Sequence, residues 1–432
     1  MRYYTICIIT AISVNAFSQT IQLKVQDKSI ELKQSKTNLK TDNVIEVIKD
    51  TDQNDVSIYS NYLGIGEIKE GQYKGEMTGY FNEGVVFSDG SKYEFSEKET
   101  YLCNIGENIY TEKIDFLRLV KHINVYTIGN KNITKTSNSI TIPFNSAIDK
   151  IEHNDYLLYS NFYESLGDTI IVYNKNLNQV KIYKPFDNGF SNIAYTSINN
   201  SIFIVTTPYN STIINNSYKV TLINTQNNFS FQEINYKEEI TPLKLVTLEN
   251  KIVLVSFGKI ILFDKNGKPL WAKKMNINSI DFPINGSETD NLLFTIYEGA
   301  IVCLNLVDGN ELWRTDLKKI YPKYEKSKSI KNEYYMAYSP IDFKLFPSLQ
   351  LIGLLSAKRE QTNKDNKIKY SDVNLTLIDY RGKISKQITL NTSKSSTNDG
   401  YYVVSRNKPY LIQIGENGFR IVTNGEIENY EK

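Results

Sequence analysis

Histidine is nearly missing from this 432-residue chain, which has only His122 and His153. That excludes multi-histidine metal centres and leaves little room for imidazole catalysis. Cysteine is almost as scarce, with Cys7, Cys103 and Cys303, and three thiols cannot build a disulfide scaffold. Neither sign of charge is in excess: 50 Lys and Arg stand against 48 Asp and Glu, a net +2. A dedicated nucleic-acid binder carries a clear basic excess, so nucleic acid is not an expected partner. Beyond residue 17 no apolar run is long enough to cross a bilayer, so no transmembrane segment is expected in the mature chain. What remains is the composition of a folded globular protein, 41% hydrophobic and 12% aromatic, with 31 tyrosines.

The chain opens with Met1 and Arg2, then an apolar stretch from Tyr3 to Phe17 that closes on Ala16-Phe17-Ser18. One basic residue, an apolar core and small residues at the minus-three and minus-one positions describe a secretory signal, residues 1–18, cut after Ser18. The stretch falls short of the ~20 residues a membrane span requires. An exported protein, periplasmic or extracellular, is expected. Cys7 lies inside the signal core, too far upstream of the cleavage site to carry a lipid. Cys303 sits in the apolar run AIVCLNL, where a free thiol behaves as a small buried hydrophobe.

From about residue 55 onward the sequence alternates short runs of Ile, Val, Tyr, Phe and Thr with clusters of Asn, Gly and Asp. DTIIVY (Asp168 to Tyr173), SIFIVT (Ser201 to Thr206), KIVLVSF (Lys251 to Phe257) and YYVVS (Tyr401 to Ser405) are examples. This is the pattern of an all-β protein. A repeat overlies it. In ILFDKNGKPLW (Ile261 to Trp271) and CLNLVDGNELW (Cys303 to Trp313), the glycines Gly267 and Gly309 lie 42 residues apart, as do Trp271 and Trp313. Weaker copies centre on Gly382, Gly425, Asn227, Leu177 and Lys131. A period of 40 to 50 residues holding several strands predicts a β-propeller of four-stranded blades. Dividing residues 118–432 by the period gives seven blades, within a range of six to eight. Residues 19–117 fit the repeat less well and read as an arm, partial blades or a small module. GVVFSDGSKYEF (Gly84 to Phe95) within them is a hairpin by its Asp-Gly turn. An N-terminal strand completing the last blade would close the ring.

The two best copies resemble the repeat of the quinoprotein-dehydrogenase-like, or PQQ-like, β-propeller superfamily, of the type Ala-Leu-Asp-x-x-x-Gly-Lys-x-x-Trp. CLNLVDGNELW keeps Leu304, Gly309 and Trp313, with Asn305 for the acid. ILFDKNGKPLW keeps Leu262, Gly267, Lys268 and Trp271, with its acid one residue late at Asp264. A third copy keeps Leu377, Gly382 and Lys383, with Asp379 as the late acid and Lys386 where Trp would stand. The resemblance implies the propeller fold. It does not bring a quinone or calcium site, because no vicinal cysteine pair and no matching ligand set occurs. The superfamily also includes non-enzymatic propellers that work through protein contacts. The bland physical roles of Asp264, Asn305 and Asp379 are turns, of the glycines positive φ, and of Trp271 and Trp313 packing between blades.

No catalytic, metal or cofactor site is expected. The spacing from Gly309 to Gly382 is 73 residues, about 30 beyond the period, and this enlarged stretch holds LKKIYPKYEKSKSIKNEYYMAY, Leu317 to Tyr338. Lysines interleave with tyrosines there, and Tyr321, Lys323, Tyr324, Lys326, Lys328, Tyr334 and Tyr335 are the candidate contacts for a partner. The expected function is an exported, non-enzymatic propeller that binds a protein or envelope component. The alternative is a glycan-binding or glycan-processing propeller, and a quinone-dependent oxidoreductase ranks third.

Overall fold

The computed structural model describes residues 19–39, 44–49, 53–152, 154–163, 166–209, 217–280, 282–321, 325–330, 334–362, 367–390, 397–399, 409–415, 417–423 and 426–432. The expected signal, residues 1–18, lies outside them, as does His153. The described chain is almost entirely antiparallel β-sheet, and its strands fall into eight consecutive units, four-stranded in units 1 to 6, six-stranded in unit 7 and five-stranded in unit 8. Unit 1 comprises Val44–Lys49, Asp55–Glu67, Met77–Val86 and Lys92–Glu94. Unit 2 follows with Glu99–Ile105, Asn108–Asp115, Val120–Gly129 and Asn132–Pro143. Unit 3 holds Ser146–Lys150, Tyr156–Tyr163, Leu166–Asn174 and Gln179–Tyr183. Unit 4 holds Phe190–Ile198, Ser201–Pro208, Tyr218–Asn224 and Ser230–Tyr236, joined to unit 3 by the single bridge Gly167–Phe190. Units 5 and 6 are Pro242–Thr247, Lys251–Ser256, Lys259–Asp264, Pro269–Lys274, and Ile284–Ser287, Leu292–Tyr297, Ala300–Asn305, Glu311–Asp316. Unit 7 is built on Tyr334–Phe346, Leu351–Thr362, Lys367–Asp379 and Ile384–Thr389, with Glu325–Ile330 and Thr397–Asp399 added. Unit 8 takes Tyr410–Ile414, Gly418–Thr423 and Glu426–Glu431 from the C-terminal end and is completed by Lys28–Asn38 and Gln19–Val25.

The sheet order divides into eight such units, within the six to eight expected, and their first strand begins at Val44, ahead of the residue 118 from which the division was made. Position 117 falls in the turn joining the second and third strands of unit 2. The Asp-Gly hairpin read in the sequence joins the last two strands of unit 1.

Side-chain alternation explains why the sheets stack into a ring. In Lys251–Ser256, Ile252 and Leu254 pack into a cluster shared with unit 4, while Val253 and Val255 pack into one shared with unit 6. With both faces covered, the strand becomes an apolar run. The same division holds throughout: buried clusters join units 1 and 2, 2 and 3, 3 and 4, and onward to 7 and 8. The last cluster, Val44 with Val422 and Ile427, joins unit 8 to unit 1. The circuit closes, and the architecture is a β-propeller. First strands lie side by side between units 2 and 3, 4 and 5, 6 and 7, and 7 and 8, which places them toward the axis.

The repeat residues sit at matching places. Asp264 Oδ1 accepts backbone N–H bonds from Asn266 and Lys268, both at 2.9 Å. Asp379 Oδ1 accepts from Arg381 at 3.0 Å and Lys383 at 2.9 Å, and Asn305 Oδ1 from Val307 at 2.8 Å. Gly267, Gly309 and Gly382 follow with φ of 83°, 74° and 83°, a region costly for residues with a Cβ. Each turn then leans on the unit before it. A Cβ on Gly309 would stand 3.0 Å from Trp271, and one on Gly382 2.9 Å from Trp313. Trp271 Nε1 donates to Leu306 O and Trp313 Nε1 to Tyr380 O, both at 2.9 Å. Each tryptophan is therefore a buckle between neighbouring units. In unit 3 the same turn is held by Asn174, and Leu177, with φ of 59°, replaces the glycine and buries its side chain.

Candidate functional site

The enlarged stretch adds an arm to unit 7. A single helical turn, Leu317–Ile320, is capped by Asp316, whose Oδ1 accepts from Lys318 N at 2.8 Å, and Tyr321 closes it by donating its N–H to Leu317 O. Lys323 and Tyr324 lie outside the described residues. Lys326 and Lys328 stand in Glu325–Ile330, which pairs with the strand carrying Tyr334 and Tyr335; Lys328 opposes Met336, Ser329 opposes Tyr335 and Ile330 opposes Tyr334. The backbone thus gathers these four candidate residues into one hairpin. The arm continues through Tyr334–Thr362 and Lys358–Ser371 pairs to Lys367–Asp399. Its three long strands have 13, 12 and 13 residues against 6 each for the middle strands of units 5 and 6. The excess is about 20 Å of sheet at ~3.3 Å per residue. In an antiparallel unit the link between second and third strands and the link to the next unit leave from the same end. The long hairpin of unit 1, Asp55–Glu67 with Met77–Val86, therefore rises from the same face as the arm, with unit 8 between them.

At the axis the first strands bring together polar residues that sequence reading missed. Glu46 of unit 1 accepts a hydrogen bond from the Tyr101 hydroxyl of unit 2, and Lys150 of unit 3 reaches the same carboxylate at 4.0 Å. Burial, and then Glu46, push the Tyr101 phenol well above its usual range, so it stays a proton donor. Asp149 receives the Lys150 N–H at 2.7 Å. Its carboxyl is raised, by burial first and by the charges of Glu152 and Glu46, with Lys150 opposing. Tyr195 of unit 4 is raised by burial and by Asp149. Across the ring, Asp342 of unit 7 accepts from Leu411 N of unit 8 at 2.6 Å. The arrangement offers carboxylates, one ammonium and fixed hydroxyl donors, suited to holding a polar group by hydrogen bonds. The contributors sit in separate repeats, 50 residues or so apart, and no local motif announces them.

Cys103 and Cys303 are free and buried, and burial pushes each thiol up to about 12, far from the thiolate that nucleophilic chemistry requires. His122 is half-buried and shares a hydrogen bond with Thr141 Oγ1 at 2.9 Å. No group of three His, Cys, Asp or Glu side chains among the described residues is placed to hold a metal ion. No helix among them is long and apolar enough to cross a membrane.

Comparison with known proteins adds little beyond architecture. No family model matches the chain and no curated protein matches it. Among solved structures, Kluyveromyces lactis Hsv2 with its complete loop 6CD is similar at 9% identity, covering 83% of this chain and 99% of that one with a TM-score of 0.40. Kluyveromyces marxianus Hsv2 shares 9% identity over 73% of this chain and 86% of its own, with a TM-score of 0.37. The dihydro-heme d1 dehydrogenase NirN shares 10% identity over 74% of this chain and 72% of its own, with a TM-score of 0.39. The propeller assignment rests on the sheet order and the closed circuit of clusters in this chain itself.

Proposed function

We propose that this chain is an exported, non-catalytic binding propeller that holds a protein or other envelope component on the arm of unit 7. The observation that carries the reading is the arm: Lys326, Lys328, Tyr334 and Tyr335 lie on one hairpin of a sheet whose long strands exceed the middle strands of units 5 and 6 by about 20 Å. Tyrosine supplies a flat amphipathic face of the kind protein interfaces favour, and lysine adds ionic contacts at a polar rim. Loops and extensions mounted on a rigid scaffold are also where binding function concentrates. The Asx-turn, glycine and tryptophan pattern supports a place among PQQ-like repeat propellers. Export is supported by the layout of residues 1–18, and it predicts a mature N-terminus at Gln19.

The test is in-cell crosslinking of the full, tagged protein, compared with a variant carrying Lys323→Glu, Lys326→Glu and Lys328→Glu. A component captured by the wild type and lost in the folded variant is expected. Capture that is absent in both, or equal in both, overturns the assignment.

A further inference from the structure

We infer that the outer rim between units 3 and 4 carries a second site, for a neutral pyranose unit of a glycan. A cavity of about 460 Å³ opens there between the last strand of unit 3, the loop Lys184-Pro185-Phe186-Asp187 that follows it, and the last strand of unit 4. Cavities of 300–1,000 Å³ suit small-molecule and sugar-sized ligands. Two of its walls are apolar and open: Phe231 and Ile182 are each 50% exposed. The Lys181 ammonium lies 5.0 Å from the Phe231 ring centroid and the Tyr183 ring 5.6 Å from it, and half of Phe231 is left exposed.

The polar part of the site is fixed in advance. Glu233 Oε1 accepts from the Tyr183 hydroxyl at 2.6 Å and from Lys219 Nζ at 3.2 Å. Tyr183 is tied also to Thr221 Oγ1 at 2.7 Å. Lys219 donates to Pro185 O and lies 4.8 Å from the centroid of the Phe186 ring. Lys219 and the phenol thus spend themselves on one oxygen and its surroundings. Glu233 Oε2 takes no hydrogen bond from any described residue. The lining charges cancel, Lys184 and Lys219 against Asp187 and Glu233.

Exposed aromatic surface beside a positioned carboxylate and an exposed lysine asks for a ligand with one apolar face and hydroxyls around its edge. A pyranose has that form: its C–H face lies on Phe231, a hydroxyl donates to Glu233 Oε2, and another accepts from Lys184. A charged ligand would meet as many like charges as opposite ones in the lining, so a neutral sugar is the better fit. This site is independent of the arm.

Saturation-transfer NMR on the full protein with maltotriose, cellotriose and the trimer of N-acetylglucosamine, and trigalacturonate as the charged comparison, tests it. Transfer to at least one neutral trimer is expected. Phe231→Ala should weaken binding at least tenfold and Glu233→Gln several-fold, both with near-wild-type Tm, and the triple lysine variant of the arm should bind as the wild type does. Transfer to none of the neutral trimers at millimolar concentration overturns the site. So does transfer that survives both substitutions, and tighter binding of trigalacturonate than of every neutral trimer overturns the choice of a neutral sugar.

Discussion

The contact between units 5 and 6 and the seam between units 8 and 1 do the same job by different means. Between units 5 and 6, fourteen described residues are buried together, from Leu248 to Leu306, with Trp271 buckled onto the next turn. At the seam only Val44, Val422 and Ile427 are buried together among the described residues. Polar contacts take over there: Arg420 of unit 8 reaches Asp55 of unit 1 at 2.8 Å, and Lys49 meets the same carboxylate at 2.8 Å. Unit 8 is itself held by backbone pairing of Lys33–Asn38 with Glu426–Glu431. Its side chains add Lys36–Glu428 at 2.5 Å and Tyr430–Glu428 at 2.6 Å. The repeats in mid-chain are welded by side-chain burial; the ring is closed by strand exchange between the two ends.

If that contrast holds, removing residues 19–38 is the most damaging change. It takes away the partner of the last strand and Leu23, Val25 and Leu32 from the core shared with unit 7. The expected loss is on the order of the whole 5–15 kcal/mol of a typical fold, seen as loss of a cooperative thermal transition; retention of such a transition would break the comparison. Leu304→Ala between units 5 and 6 is expected to cost about 3 kcal/mol in chemical denaturation, and Val422→Ala at the seam about 1.5. Equal costs would mean that the seam is packed as tightly as the rest.

The buckle can be tested by a double-mutant cycle. Gly382→Ala should cost about 2 kcal/mol, part from positive φ and part from the clash with Trp313. In a Trp313→Ala background the ring clash should vanish, leaving the φ part and the 3.1 Å approach to Thr315 Oγ1. Smaller effects separate the seam from the axis by pH. The Asp55 carboxyl is held below its usual value, burial being outweighed by Lys49 and Arg420. A depressed carboxyl stabilises above its unfolded pKa and loses that contribution as pH falls through the folded value. Arg420→Gln should therefore lower stability by about 1 kcal/mol at pH 7 and much less near pH 3. Asp149 is raised, so its charged form burdens the folded state above that raised value. Asp149→Asn should give a small rise in Tm at pH 7 that vanishes in acid, the opposite sign to the seam.

What could be read from the sequence follows from which residues the physics leaves no choice about. Gly267, Gly309 and Gly382 need positive φ beside a large ring, so they and Trp271 and Trp313 mark the repeat openly. Where the turn is solved otherwise, by Leu177 or by Lys131 with φ of 56°, the signal fades. In unit 1 the long middle hairpin shifts the period, which is why residues 19–117 read as a separate region. The candidate lysines and tyrosines of the arm were visible as a run within an overlong spacing. Their assembly into a paired hairpin was not, because the strand carrying Tyr334 and Tyr335 is held on its other edge by Leu351–Thr362, where Tyr334 opposes Thr362. The axis and rim were hidden for a simpler reason: Glu46, Tyr101 and Asp149, like Tyr183, Lys219 and Glu233, become neighbours only when whole units are stacked.

The shared sheet of unit 8 also sets an order of events during synthesis. Gln34 bonds Glu428 across 394 residues of chain, so the first described strands find their partners only after the last ones exist. Seven units can condense from local contacts while the leading hairpin waits unpaired, and the final join is the slowest kind of contact a chain can make. During that wait the edges of Lys28–Asn38 are open templates for other strands. A cell that makes this protein needs either to cover that hairpin until the chain is complete or to complete the chain quickly.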